Sequence, residues 1–204
     1  NASSKTPAYA GGTDKAELTD RLENLLIEKL TSAKTEEQRI TFYRSFVNIA
    51  STKKATQVLK DILEVNNRAT PKELELAKKS VNNNNKKGEF AGLPILRTKD
   101  KFDIVTKLII LGDKDAPKLL AKLEKTEKGD AAKRYAYAAK AGFATKENKA
   151  KYWNDFVNNK EISESWIEAA FGVWNSPSHS ELTLPYLEKA LAELPNHKQN
   201  RKIF

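Results

Sequence analysis

The chain has 204 residues, of which 39% are hydrophobic and 31% are charged, and its formal net charge is +9. This balance predicts a water-soluble globular protein and excludes an intrinsically disordered chain. Because no apolar stretch approaches the roughly 20 residues that a membrane helix needs, no membrane insertion is expected. The absence of cysteine excludes disulfides, thiolate metal ligands and a cysteine nucleophile.

Apolar residues do not recur periodically at the start of the chain. Residues 1–12 are predicted to be a disordered tail or a remnant of cloning, and residues 13–204 to be a single helical-repeat domain. The first helix follows Asp14, and its leucines recur every three or four residues, which places them on one face that we expect to be buried. These leucines are Leu18, Leu22, Leu25, Leu26 and Leu30.

Threonine residues mark the next three helix starts. Thr35 opens a capping box, in which the Gln38 side chain is expected to accept a hydrogen bond from the N–H of Thr35 itself. Thr52 caps the third helix, and Thr70 starts a fourth helix that runs to residue 81. The connections are only a few residues long, so helices adjacent in sequence are expected to be antiparallel neighbours in space.

A segment rich in asparagine and lysine interrupts this pattern. It covers residues 82–91 and is the one low-complexity stretch of the chain. Such a composition is typical of an exposed loop. The sequence therefore predicts two sub-halves, 13–81 and 92–204, joined by this loop within one domain.

The second half contains six further helices, each bounded by a capping residue or a glycine. Gly112 stands where a left-handed C-terminal cap is expected, and Gly142 ends a later helix. The helix capped by Thr145 has the apolar residues Ala150, Trp153, Phe156 and Val157. The closing helix is predicted from about Leu182 to Pro195, with the apolar residues Leu187, Ala190, Leu191 and Leu194.

These starts and stops add up to about ten helices, and no sustained period-two pattern indicates a strand. The predicted fold class is therefore all-α. Because one helix pair recurs about every 35 residues, we expect the antiparallel pairs to stack as an α-solenoid, a superhelix of the HEAT or armadillo type.

The sequence contains no recognisable catalytic motif. Its two histidines, His179 and His197, lie beside prolines in predicted loops and are interpreted as surface residues, because neither has a second histidine at metal-ligand spacing. No nucleophile elbow, phosphate-binding glycine loop or dinucleotide fingerprint is present. The chain is accordingly predicted not to be an enzyme by itself, and to hold no catalytic residue, metal ligand or cofactor.

Binding is the remaining class of function. Arg134 and Tyr137 lie three residues apart on one predicted helix face, where they form a candidate surface for a peptide or protein partner. The alternative is an arginine that simply lies over an aromatic ring. Trp153 and Trp166 are in phase with the apolar residues of their helices, which favours core packing over ligand stacking. Lysines alternate with acids in segments such as 118–125, which indicates solvated helix faces rather than nucleic-acid binding.

Two neighbouring segments, Gly92–Arg97 and Lys101–Asp113, resemble the C-terminal helical domain of aminopeptidase N-type zinc metallopeptidases. Further segments resemble that domain in the same order along the chain. They are Ile40–Thr52, Arg134–Ala139, Lys149–Asn154, Leu184–Pro195 and Asn200–Phe204, the last near the natural end of such enzymes.

The resemblance implies a HEAT-like or armadillo-like domain that packs on the catalytic domain of the same parent chain and encloses its peptide-access chamber. Zinc and the H-E-x-x-H motif are then expected in the parent's catalytic domain, and peptide substrates are met only indirectly. Two alternatives remain open: a stand-alone α-solenoid scaffold that binds a protein, and a basic helical module that binds nucleic acid. The compartment, cytoplasmic or cell-envelope, is undetermined.

Overall fold

The computed structural model describes residues 11–70, 72–73 and 93–200, and within these ranges the protein is all-α, as predicted. The described helices are α1 (Gly11–Ser32), α2 (Glu36–Ile49), α3 (Lys53–Arg68), α4 (Thr98–Ile110), α5 (Ala116–Thr126), α6 (Asp130–Ala141), α7 (Lys146–Asn158), α8 (Glu164–Trp174), the four-residue α9 (Ser180–Thr183) and α10 (Leu187–Asn200). Two short 3-10 turns, Pro177–His179 and Leu184–Tyr186, flank α9.

Two predicted segments fall wholly or largely outside the described residues. These are the loop 82–91 and most of the helix expected over 70–81. The start of that helix is described, and Thr70 and Glu73 exchange hydrogen bonds there as a capping box requires: the Thr70 N–H donates to the Glu73 carboxylate at 2.7 Å, and the Glu73 N–H donates to Thr70 Oγ1 at 3.3 Å. Of the predicted tail, residues 1–10 also lie outside. The tail prediction is wrong for Gly11 and Gly12, which form the first turn of α1.

The chain divides into two compact units, residues 1–95 and 96–204. In the first unit, α1 packs against α2. In the second unit, α4 packs against α5 and α6, and α6 packs against α8, so that α4, α6 and α8 are successive neighbours. A solenoid-like superhelical stack stays a prediction.

Local capping chemistry explains where several helices begin. Thr35, Thr52 and Thr145 each accept a hydrogen bond from a backbone N–H three residues ahead, at 3.1 to 3.3 Å. The capping box expected at Thr35 is only half formed, because Gln38 Oε1 accepts from the N–H of Lys34 at 3.2 Å instead of from Thr35. The Gln38 side chain therefore bonds to Lys34, the residue before the cap, and not to the cap residue itself.

The predicted burial of the α1 leucine face is largely wrong. Leu30 is buried, but Leu18, Leu22 and Leu25 are 60%, 45% and 46% exposed. Periodicity shows which residues share a face, whereas burial depends on what covers that face. The buried anchor of α1 is instead an acid, Glu23, whose carboxylate accepts hydrogen bonds from the segment that starts α3.

Glu23 joins α1 to the α2–α3 connection. Its carboxylate accepts from the backbone N–H groups of Ser51 and Thr52, at 2.7 and 3.2 Å, and from both hydroxyl groups. Free N–H groups at a helix start need an acceptor, and a carboxylate there is further stabilised by the helix dipole. The core of this unit lies beside this anchor and includes Tyr43, Phe46, Leu59, Ile62 and Leu63.

Two glycines end helices for different reasons. Gly112 has φ +70°, the left-handed conformation predicted for it, and follows α4. Gly142, which also ends its helix as predicted, has an ordinary helical φ of −74°. A Cβ at this position would lie 3.1 Å from Val173 Cγ1 and 3.2 Å from the carbonyl oxygen of Ala139, so an alanine here would crowd both neighbours.

The end of the last helix differs from the prediction. Pro195 lies inside α10, which continues to Asn200, whereas the sequence pattern predicted that the helix ends at this proline. A proline inside a helix costs one backbone hydrogen bond and crowds the preceding turn, and helices accept this with a local bend.

Candidate interaction surface

The two predicted binding residues, Arg134 and Tyr137, contact different groups in the structure. The Arg134 guanidinium carbon lies 5.4 Å from the centroid of the Tyr135 ring, and its Nε is buried with no hydrogen-bond partner among the described residues. The Tyr137 hydroxyl donates to Asp155 at 3.2 Å, and the Tyr137 ring lies 4.9 Å from the ring of Tyr152. Binding of a peptide or partner by these two residues stays a prediction.

A lysine that the sequence analysis did not single out is the most buried charged group of the second unit. Lys149, in α7, has no exposed surface. Its Nζ donates to the carbonyl oxygens of Ala141 and Trp174, at 3.0 and 2.7 Å. These are the last residues of α6 and α8, where free carbonyls and the helix dipoles favour a cation. One ammonium group thus holds the ends of two helices.

The surroundings of Lys149 reinforce this connection. The indole N–H of Trp174 donates to the carbonyl of Lys149 at 3.0 Å, so the two residues are bonded in both directions. The amide of Asn148 donates to the carbonyls of Lys140 and Phe143, at 2.9 and 3.2 Å. Burial lowers the pKa of the Lys149 amine to about 8, and the nearby carboxylate of Glu181 opposes this shift.

The histidine that the sequence placed on the surface is partly buried. His179 ends the 3-10 turn Pro177–His179, and its Nδ1 is buried without a hydrogen-bond partner in the described part of the chain. Burial lowers the pKa of His179, and the charge of Lys149 lowers it further. The His197 side chain lies outside the described residues. In the ranges whose side chains are described, no group of three or more histidine or acidic side chains is placed to hold a metal ion.

Aromatic residues fill the core around Trp174. Trp153 packs partly buried against this core, with its ring 6.1 Å from that of Trp174, which confirms its predicted role in core packing. Trp166 is half-buried, and its ring lies 5.5 Å from that of Tyr137. Tyr186 contacts both Trp153 and Trp174, at 5.2 and 5.4 Å between ring centroids. The Tyr186 ring therefore connects the segment before α10 to the core.

On either side of Tyr186, leucine side chains are exposed. Leucines follow at intervals of three, four and three residues, which places them along one side of the turn Leu184–Tyr186 and α10. We call this set the leucine ladder; its members and exposed fractions are Leu184 63%, Leu187 57%, Leu191 58% and Leu194 44%. No described element covers the ladder.

The net charge changes sign along the sequence of the second unit. Residues 161–195 contain six glutamates and one lysine, a net charge of −5. Residues 97–160 contain sixteen basic and nine acidic residues, a net charge of +7. The single lysine, Lys189, lies over the Tyr186 ring with its Nζ 5.4 Å from the centroid. The turn and helix that hold the ladder, residues 184–200, contain two glutamates and two lysines and so have no net charge themselves.

The sequence contained a signal for both features that were missed. Lys149 precedes Tyr152, Trp153 and Phe156 at helical spacing, so a lysine occupies a position of the apolar face of α7. Ala150, which the pattern placed on that face, is exposed. For the ladder, the signal was the change from a basic to an acidic segment near residue 161.

Neither a scan against protein-family models nor a search of curated proteins found a match for this chain. None of the described helices is both long and apolar enough to cross a bilayer.

Proposed function

We propose that this chain is the non-catalytic C-terminal domain of an aminopeptidase N-type zinc metallopeptidase. In this role it packs on the catalytic domain of the same protein and encloses the chamber through which peptides reach the active site. Helices packed side by side provide a broad wall, and a wall selects substrates by restricting access rather than by reacting with them.

The leucine ladder is the observation that supports this proposal. A folded unit with a well-filled core still leaves four consecutive members of one leucine face 44% to 63% exposed. Contiguous exposed apolar surface on a folded protein marks an interaction site, since water contact with it is unfavourable. A domain that completes a larger enzyme requires such a surface, whereas a self-contained catalyst requires a cleft with reactive groups.

The proposal is tested on the full protein that contains this chain. We expect a preceding domain with H-E-x-x-H, zinc-dependent release of N-terminal residues from peptides, and no release by the purified 204-residue chain alone. The full protein should cleave short peptides and leave a folded protein with an accessible N-terminus intact. A parent protein without a zinc peptidase domain, or amino-acid release by the chain alone, would refute the proposal.

The alternatives make different predictions. A stand-alone scaffold also needs an apolar surface, but its gene would encode no zinc peptidase domain. A nucleic-acid-binding module is favoured only by the net charge of +7 over residues 97–160. A salt-dependent gel shift with the purified chain would support nucleic-acid binding, and no shift at low salt would eliminate it.

A further inference from the structure

We propose that His179 is an acid-sensitive switch of the second unit: when its imidazole takes up a proton, residues 177–186 are released from the core. We call these residues the connecting segment. They comprise both 3-10 turns and α9, and they lead from the end of α8 to the start of α10. The switch uses groups of the second unit alone, so it does not depend on the function proposed above.

The connecting segment is held where three helices end. Lys149 Nζ donates to the carbonyl oxygens of Ala141 and Trp174, which end α6 and α8. The His179 side chain is hydrogen-bonded to the backbone of Ile110, the last residue of α4. In addition, α9 packs against α7, the helix that contains Lys149. The imidazole and the buried amine therefore belong to one cluster at the ends of α4, α6 and α8.

This cluster accommodates a neutral imidazole better than a charged one. The Nδ1 atom of His179 is buried and finds no hydrogen-bond partner in the part of the chain that is described, so a proton there would be a buried donor without an acceptor. Two charged groups face the imidazole, Lys149 from α7 and Glu181 from α9. Burial and the positive charge of Lys149 lower the pKa of His179, and the carboxylate of Glu181 opposes this shift only in part.

Acid therefore favours release of the connecting segment. Once the segment is released, the imidazole is in water and has its ordinary pKa of 6.5. Below this pH the released state binds more protons than the closed state, which shifts the equilibrium towards release. Lys149 keeps its charge in this range, because its own pKa is about 8. Between pH 7.0 and 5.0 the released fraction can rise by about 25-fold at most, the limit for an imidazole that is never protonated in the closed state.

A thiol at position 183 measures this release, because the chain contains no cysteine of its own. Thr183 is 5% exposed, so Thr183→Cys places a thiol of similar size at a buried position of the connecting segment. Ser178→Cys, at an exposed position of the same segment, is the matched control. Both variants are labelled at pH 7.0 and 5.0 with dithiodipyridine, which also reacts with thiols in acid. The ratio of the two labelling rates removes the effect of pH on the reagent, and circular dichroism verifies the fold at both pH values.

We expect the rate ratio of position 183 to position 178 to be at least about threefold larger at pH 5.0 than at pH 7.0. His179→Gln should abolish this rise, because the amide keeps a side-chain N–H for the backbone of Ile110 but takes up no proton in this range. The other histidine supplies the control, since His197→Gln should leave the rise unchanged.

The pKa of His179 can also be measured directly. The His197→Gln variant retains a single histidine, so one imidazole resonance titrates in its NMR spectrum. We expect this titration below pH 6.5, and addition of Glu181→Gln should move it further down, because the carboxylate that favours the imidazolium is then absent.

Three outcomes would overturn the inference. The first is a rate ratio that rises less than about threefold between pH 7.0 and 5.0, and the second is a rise that persists in His179→Gln. The third is a His179 pKa at or above 6.5 in the NMR titration. The titration leaves His179 itself unchanged, so it decides the matter even if His179→Gln does not fold.

Discussion

Replacement of Lys149 by methionine tests how the second unit is held together. Methionine keeps most of the length of the side chain and removes the ammonium that bonds Ala141 and Trp174. The two carbonyl oxygens then lose their donor, and the pH dependence associated with the amine disappears as well. The second effect is the more specific one, because loss of stability alone is common to many core substitutions.

The pKa of the Lys149 amine sets the size of the pH-dependent change in the free energy of unfolding. Burial lowers this pKa from 10.5 to about 8, so in the folded protein the neutral form becomes populated at lower pH than in the unfolded chain. Between pH 8 and 10.5 the unfolded state therefore binds more protons, and the free energy of unfolding rises with pH. At about 1.4 kcal/mol for each unit of pKa, the wild type should gain roughly 3 kcal/mol relative to Lys149→Met across this interval.

Urea unfolding of both proteins at half-unit steps from pH 7 to 10.5, followed by circular dichroism and tryptophan fluorescence, measures this difference. The difference cancels the titration of groups that do not interact with the amine. His179 does interact with it, but its pKa is lowered from 6.5, so His179 is already neutral between pH 8 and 10.5. Lys118→Met, at an exposed position, controls for the loss of one lysine. A difference between wild type and Lys149→Met that stays constant from pH 8 to 10.5 would refute the reasoning.

Three smaller predictions concern single contacts. Glu23→Ala should lower the free energy of unfolding by about 1–3 kcal/mol in urea titrations, because partly buried N–H groups at the start of α3 lose their acceptor; a loss below about 0.5 kcal/mol would contradict this. Gly142→Ala should cost about 1–3 kcal/mol through overpacking, whereas Gly172→Ala, where nothing lies within 4 Å, should stabilise α8 slightly, as thermal unfolding of the two variants will show. Tyr137→Phe removes the hydrogen bond to Asp155 and should cost about 0.5–1.5 kcal/mol, while an unchanged unfolding midpoint would mean that water replaces this bond.

The sequence predicted the helices well because their signals are local. A threonine three residues before a free N–H caps a helix through contacts within one turn, as at Thr52 and Thr145, and tertiary context does not alter this. Gly112 is similarly local, since its left-handed conformation depends on the absence of a Cβ. The fold class follows from such signals added along the chain.

Burial was harder to predict because it depends on distant residues. Leu18, Leu22 and Leu25 of α1 have the spacing typical of a buried face, yet each is at least 45% exposed, whereas Leu30 in the same helix is buried. The leucines of α10 have the same spacing and are also exposed. Lys149, for which no burial was predicted, is the reverse case: a charged residue is buried because two helix ends meet at its amine. Arg134 and Tyr137 share a helix, but their contacts come from different neighbours, Tyr135 in one case and α7 in the other.

Trp174 connects Lys149 to the segment that holds the leucine ladder. Two hydrogen bonds hold the end of α8. The Lys149 amine donates to the Trp174 carbonyl, and the Trp174 indole N–H donates to the Lys149 carbonyl. The Trp174 ring also contacts the Tyr186 ring, and this contact fixes the segment before α10. Because Tyr186 lies between Leu184 and Leu187, the contact that fixes this segment is within the ladder itself, which is therefore held in a defined position while it is exposed. A surface that is fixed but uncovered loses little conformational entropy when a partner binds.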